Sequence, residues 1–479
     1  MRKLKVGLVG LCQPNFNVPL GREIYNRSVT FMERLGVETQ EFGLFAIPSL
    51  VATPEEARTA AKKLKDEGIE FLLIQHATLS SGELVFPFVE MDVPLGLWAL
   101  PEPTLSGTIP LGSLIGMNLC SGILGRYFKD KTVRFKWFFG APGEAALVRR
   151  LVTSFRALKA IELLKGSCIT LIGEVAPGFY SLHFDPRDIY VRFGTKVAFG
   201  EFCELKERVL SLDVPEVFAI VKEMQEMGSG SLIDEKDFEK AARVYFVLRE
   251  MAERHGYGGL AIECWPRFYR ELDLVPCSVI GFLNEKGIAT ACEGDVWGVL
   301  SMMLLNYLSG GGRSTLMDLA MFDNVDDSIL FWHCGPTAAC WASGRGLIYA
   351  PHCNIGEGVP WSSFKGASMV NDLVLREGEI TIARITKDGK KIFVGSGRSV
   401  GERKPGYDGS RGWVEELYVG RERSTAPDFV NTVMVHGVEH HFPIVMGNLV
   451  EELMEFGNWL GLEVLPLVPY AVHYQKPRE

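Results

Sequence analysis

Glu293, Asp295 and Asp318 are the acidic residues around which chemistry is most readily built. The first two follow a short apolar run, Gly287–Cys292 (GIATAC), and Asp318 closes a second, STLM. A third run, SILFWHCG, carries His333. Far downstream, His436, Glu439, His440 and His441 place four ionisable side chains within six positions, beside Gly437 and Pro443. Carboxylates and imidazoles with open positions between them suit Mn2+, Co2+, Fe2+ or Mg2+ better than a closed structural zinc site. The glycine run Gly310–Gly312 lets the backbone pass close to whatever is bound there.

Each of these residues also has a structural role open to it. Asp295 stands where a helix N-cap belongs. Asp318 alone fits a surface turn. His333 follows Phe331 and Trp332 and fits a hydrogen-bonded core histidine. His440 and His441, if both lie on a strand, point to opposite faces, so at most one is a direct ligand. The combination, in this order, is what favours a site.

The elements that must position these residues are legible from their periodicity. Val6–Gly10, Phe71–His76 and Pro94–Leu100 read as buried strands, and Arg22–Leu35, Pro54–Asp66 and Gly143–Leu164 as helices. Thr53 is the expected N-cap before Pro54. The pattern restarts with strands at Cys168–Gly173, Gly259–Glu263 and Gly287–Cys292, and helical stretches at Pro215–His255 and Asp295–Leu308. Alternating strands and helices imply parallel sheets covered on both faces. Ligands in such sheets bind beyond the carboxyl ends of the strands, which would set Glu293 and Asp318 at the same edge of one sheet. From about Ser328 the chain turns glycine-rich, with strands expected at Ile329–His333, Asp372–Thr386 and Lys391–Gly395. A hairpin turn is expected at Asp388–Gly389 and a helix at Asn448–Leu460. The expected fold is α/β: two Rossmann-like domains with parallel sheets, 1–165 and 166–325, then a mainly antiparallel β domain, 326–479.

The bulk numbers agree with an ordinary globular protein. The chain has 479 residues, 47% of them apolar and 23% charged, with a formal net charge of -9. A nucleic-acid partner would leave a clustered basic footprint, and none is present. The ten cysteines show no C-x-x-C spacing and are expected as reduced thiols packed in cores. MRKLKVGLVG runs straight into a strand, unlike a signal peptide. No apolar helix reaches the roughly 20 residues a membrane span takes. The expected location is cytoplasmic.

The segment ATACEGDVWGVLSMMLLNYLSGGGRSTLMD resembles the central motif of the L-fucose/L-arabinose isomerase superfamily, in which a strand ends in Glu and a second acidic residue follows about 25 positions later. GVEHHFPIVMGN resembles the region of that family's C-terminal metal histidine. IGEVAPGFY and GLAIECWPRF resemble, more loosely, a strand–loop of its second domain and a sugar-side strand and loop. The resemblance implies a homo-oligomeric, Mn2+-dependent aldose–ketose isomerase, with Co2+ or Mg2+ as other candidate ions. It implies Glu293 and Asp318 as metal ligands and proton-transferring pair, and His441, with His440 as the alternative, as the imidazole ligand. His333 matches a further histidine used by arabinose isomerases and absent from fucose isomerases.

An aldose–ketose isomerase moves a proton between C1 and C2 of an open-chain monosaccharide through an enediol(ate), and a divalent cation stabilises the charge that develops on the two oxygens. Trp265, Arg267 and Trp297 are the candidate substrate contacts, with packing at a domain boundary as their structural alternative. Glu439 or a backbone carbonyl is expected to orient His441. The second reading is an isomerase or epimerase of a modified sugar, sulfonated, phosphorylated or deoxy, for which Arg267 and Arg313 would supply positive charge. A third is a non-catalytic sugar-binding protein.

Overall fold

The fold comes from a computed structural model of the chain, which describes residues 2–471 except 129–132, 213–214, 255, 257, 357–358, 360–361, 365 and 367. The chain divides into two compact units, Met1–Glu162 and Leu163–Glu479.

The first unit is built on strands β1 (Leu4–Leu11), β2 (Phe42–Ala46), β3 (Phe71–His76), β4 (Leu95–Ala99) and β5 (Phe135–Phe139), all parallel, in the order β2-β1-β3-β4-β5. This is not the 3-2-1-4-5-6 order of a dinucleotide-binding sheet. β3 and β4 are buried at every position, as their unbroken apolar runs require of strands covered on both faces. Helices Val18–Thr39 and Pro54–Asp66 alternate with β1, β2 and β3 along the chain. Thr53 caps the second through a reciprocal capping box with Glu56.

The second unit joins two sheets. The first contains β6 (Cys168–Ile172) and β7 (Lys196–Gly200), then, beyond the two-residue strand β8 (Gly230–Ser231), β9 (Gly259–Ile262) and β10 (Ala289–Ala291). β6, β7, β9 and β10 form a parallel sheet in the order β10-β9-β6-β7. The stretch expected as one helix from Pro215 is two, Pro215–Met227 and Glu235–Glu253, and its expected last residue, His255, lies outside the described residues.

The larger sheet takes β8 at its edge and β11 (Thr315–Asp323), β12 (Ser328–His333), β13 (Ile348–Pro351), β14 (Met369–Val374), β15 (Gly378–Ile385), β16 (Lys391–Ser399), β17 (Ser410–Val419), β18 (Glu422–Arg423), β19 (His441–Met446) and β20 (Glu463–Val464). Within it, β16-β15-β19-β11-β12-β17 run antiparallel to their neighbours, and β16 pairs with β17 as well. Those six strands therefore close on themselves as a barrel, which removes their free edges. The β15–β16 hairpin turns where Asp388–Gly389 announced it, with Gly389 at φ 64°. The Asp372–Thr386 stretch is two strands, β14 and β15, rather than one.

The expected boundary at 325/326 falls inside the β11–β12 hairpin. β11 belongs to the barrel because its register pairs it with β12 on one side and β19 on the other. Helix Val296–Leu308 is apolar nearly all round because it packs against β9 and β10 on the parallel sheet and against β15 and β19 of the barrel.

Candidate active site

Glu293 leaves the carboxyl end of β10 on a backbone that few side chains adopt, at φ 59°, and Gly294 follows at φ 72°. A Cβ on Gly294 would meet the Glu174 carbonyl oxygen at 2.6 Å, so only glycine fits beneath the Glu174–Tyr180 loop. The turn is pinned from both sides. The Ala176 N–H donates to the Glu293 carbonyl at 3.0 Å, and the Gly294 N–H donates to the Ile262 carbonyl at 2.9 Å. Strain held this way at an acidic residue is a mark of function.

Asp318 sits on β11 directly across from His441, the first residue of β19. The expectation that Glu293 and Asp318 share one sheet edge is therefore corrected. Glu293 comes from the parallel sheet and Asp318 from the barrel, and the site lies where the two meet. His440 is not on a strand, so the alternation argument against a paired role for His440 and His441 does not apply.

His441 faces both acids. His441 Nε2 lies 3.4 Å from Glu293 Oε2 and 3.9 Å from Asp318 Oδ1. Asp318 Oδ1 is buried with no hydrogen-bond partner among the described residues, although the side chain as a whole is 28% exposed. Burial pushes the Asp318 carboxyl up to about 6, against the pull of His441 and His440. His440 Nε2 is 3.0 Å from Glu293 Oε2, and its ring packs on Phe179.

His441 is fully buried, and its orientation is fixed by Asp295. Asp295 Oδ2 lies 3.0 Å from Nδ1, and an ionised carboxylate only accepts, so Nδ1 donates and the Nε2 lone pair faces Glu293 and Asp318. Asp295 keeps its expected N-cap role as well, accepting the Gly298 N–H at 2.8 Å. Burial would raise its pKa, but the Arg384 guanidinium, at 2.5 and 3.0 Å, and His441 hold it well below the usual carboxylate range. Glu439, the expected partner of His441, instead accepts from Arg384 Nε at 3.4 Å and from the Lys387 N–H at 2.9 Å. Against desolvation, which lowers it, Asp295, Glu293 and Asp318 raise the His441 pKa. Positive charge is thus favoured where the Nε2 lone pair points. An orphaned carboxylate oxygen, a second carboxylate and an oriented imidazole are the donors a divalent cation of the Mn2+ kind takes.

His333 is placed beside this set but is oriented differently. Its Nδ1 accepts the Cys334 N–H at 2.8 Å, which puts the ring proton on Nε2, and Nε2 faces Cys292 Sγ at 3.1 Å. Burial holds the ring neutral. In this tautomer Nε2 is a donor to Cys292, a hydrogen-bonding role, although Cys292, His333 and His441 also have the spacing of a metal trio.

A cavity of about 280 Å³ opens onto Glu293, Cys292 and His333, with Phe179, Trp265, Tyr269 and His352 on its walls. Of the expected substrate contacts, Trp265 lines it. Arg267 is not among its lining residues and pairs with Glu263 and Glu271, both at 3.4 Å. Trp297 is corrected: it is fully buried in the first turn of its helix, edge-on to Phe193, because that turn faces the core. Arg313 donates to the Glu285 and Gly311 carbonyls and so serves a helix end. A larger cavity of about 680 Å³ lies in the first unit. Its one acidic lining residue, Glu102, is taken up by the Leu111 and Gly112 N–H groups.

The sequence reading missed Arg384 and the second role of Asp295. An arginine within the apolar strand ITIARI was the available signal for the first. It also missed the four cysteines, Cys264, Cys277, Cys292 and Cys334, that line the cavity.

No protein-family profile matches the chain. Among curated proteins it is similar to "Sulfoquinovose isomerase" of Priestia aryabhattai, 28% identical over 93% of this chain and 97% of the relative. The same name belongs to relatives from Alkalicoccus urumqiensis, 27% identical over 94% and 98%, and Clostridium sp. (strain MSTE9), 25% identical over 97% and 99%. Matched solved structures include the arabinose-binding protein AraP of Geobacillus stearothermophilus, 11% identical over 64% of this chain and 88% of that one. Its TM-score of 0.18 carries no argument. Among the described residues no helix is long and apolar enough to cross a membrane. The relatives are isomerases by name along nearly the whole chain, and the chain is accordingly read as an enzyme, an intramolecular oxidoreductase interconverting aldoses and ketoses.

Proposed function

We propose that the chain is a divalent-metal-dependent isomerase of a sulfonated aldose, sulfoquinovose or a close analogue. The observation that carries the metal part is the Asp295-oriented Nε2 of His441, 3.4 Å from Glu293 Oε2 and 3.9 Å from Asp318 Oδ1. The sulfonated substrate rests on the shared name of the relatives and their even coverage of the chain. A modified sugar thus displaces the unmodified aldose of the first expectation as the leading substrate.

A divalent cation held by Glu293, Asp318 and His441 would supply Lewis-acid stabilisation of the charge on the sugar's two vicinal oxygens. The chain's own work is proton movement. One carboxylate of the Glu293–Asp318 pair takes the proton from C2 of the open-chain aldose and returns it to C1, while the hydroxyl proton passes from O2 to O1. A base in hydrogen-bond reach is worth about 10²–10⁴-fold. His441 holds its tautomer through Asp295, and His440 supports Glu293 from the solvent side. Phe179, Trp265 and Tyr269 give the sugar an apolar wall.

The test is turnover of sulfoquinovose, L-fucose and L-arabinose by chelated protein and by protein reconstituted with Mn2+, Co2+ or Mg2+, with Glu293→Gln and Asp318→Asn alongside. The expected result is metal-dependent turnover of the sulfonated sugar, reduced about 10²–10⁴-fold in each variant. Undiminished turnover after chelation would remove the metal from the reading. A preference for fucose or arabinose would remove the sulfonate.

A further inference from the structure

Two of the four cavity cysteines stand apart from the carboxylates. Cys277 Sγ and Cys334 Sγ are 3.3 Å apart, and both line the cavity wall together with His352. Cys277 is the first residue of helix Cys277–Glu285, where N–H groups without intrahelical acceptors favour negative charge. His352 adds a donor. The Asn354 and Ile355 N–H groups point at its Nδ1, at 3.0 and 3.2 Å, so the ring proton sits on Nε2. His352 stands with Cys277 and Cys334 in a cluster whose ligand atoms lie within 4.8 Å of one another, so the ring is a donor close to the sulfurs. A ring used this way stabilises a thiolate and is not set to ligate a metal, although Cys277, Cys334 and His352 have the spacing of a metal trio. The Cys334 hydrogen bond and, against burial, the His352 contact hold the Cys277 thiol below its ordinary value.

We propose that Cys277 and Cys334 are a peroxide-sensitive dithiol in the cavity wall, and that their closure to a disulfide lowers turnover. The Cys277 thiolate attacks one oxygen of hydrogen peroxide, forming a sulfenic acid and releasing hydroxide, which takes a proton from solvent to become water. Cys334 sulfur then attacks the sulfenic sulfur, its proton leaving with the hydroxyl as a second water. Two thiols lose two electrons and the peroxide gains them. Moving Cys334 Sγ toward Cys277 draws it away from His333 Nδ1, now 3.0 Å distant. His333 in turn faces Cys292 at 3.1 Å, so the closure reaches the wall beside Glu293.

The proposed disulfide rests on the sulfur–sulfur approach, whereas the effect on turnover rests on the function proposed above. The experiment treats the full-length, metal-reconstituted protein with hydrogen peroxide, alkylates remaining thiols with iodoacetamide, and maps peptides by mass spectrometry. Sulfoquinovose turnover is read in parallel. The expected result is a linked Cys277–Cys334 peptide and a severalfold loss of turnover that dithiothreitol reverses. Cys277→Ser and Cys334→Ser, each compared with its own untreated activity, should lose the response. Alkylation of both thiols after treatment, or linkage of Cys264 to Cys292 instead, would overturn the dithiol. A mapped disulfide with unchanged turnover would overturn its regulatory effect. A linked peptide in a chain that turns over none of the three sugars would support the dithiol while removing the proposed function.

Discussion

At the scale of residues, the two histidines left open by the sequence separate by their surroundings. His441 is fully buried with Nδ1 tied to Asp295, whereas His440 is 37% exposed and touches Glu293 from outside. We predict that His441→Ala abolishes stoichiometric Mn2+ binding, read by titration and metal analysis of the purified protein. His440→Ala and His333→Ala should keep the metal, and loss of it in His333→Ala would make His333 a ligand. Asp295→Asn should weaken metal binding about 10–100-fold by unsettling the His441 ring. The candidate ligands were proposed from spacing and flanking strands, which are local features of the chain. Asp295 was legible only as a cap, since its partners His441 and Arg384 lie far along the sequence and no periodicity joins them. Trp297 misled because an aromatic residue beside an acidic turn looks like a sugar wall until the helix face it occupies is known. Arg267 remains the cation to test for the sulfonate. Arg267→Ala should raise KM for sulfoquinovose more than for an unsulfonated aldose, and an equal change for both would assign it to packing with Glu263 and Glu271.

At the scale of elements, one buried ionic group joins the turn after β10 to the barrel. Arg384 on β15 is wholly buried between Asp295 and Glu439. Removing the guanidinium leaves two buried carboxylates without the arginine's charge, and Arg384→Met should cost about 3–5 kcal/mol in denaturant unfolding. The pH dependence follows from the same contact. Asp295 is held below its ordinary value in the folded chain, so folding favours its ionised form. That stabilisation is full above about pH 4 and fades as the pH falls below the ordinary aspartate value toward the lower folded one. Unfolding midpoints measured from pH 7 downward should drop in the wild type over that window, and the drop should flatten in Arg384→Met. An unchanged slope would mean that other carboxylates dominate acid unfolding. The parallel strands of both units were legible because unbroken apolar runs and alternating helices are strong signals. The sharing of β11 between expected domains was not, because strand pairing is set by register with β12 and β19, which a single strand's pattern does not encode.

At the scale of the whole molecule, the proposed site lies in one unit yet is drawn from two sheets. Glu293 comes from the parallel sheet, and Asp318 and His441 from adjacent strands of the barrel. A cation bound by all three would cross-link those sheets in the folded state and would have no such site in the unfolded chain. Binding then adds RT ln(1 + [L]/Kd) to stability, about 2.7 kcal/mol at a hundredfold excess over Kd. Thermal unfolding followed with chelator and with saturating Mn2+ should therefore show a metal-dependent rise in Tm for the transition that reports the second unit. Tryptophan fluorescence can follow it, since Trp265, Trp297, Trp332, Trp341, Trp413 and Trp459 all lie there. Glu293→Gln or His441→Ala should remove the rise, because either change leaves ligands on only part of the two-sheet frame. A shift that persists in both variants would place the ion elsewhere in the chain.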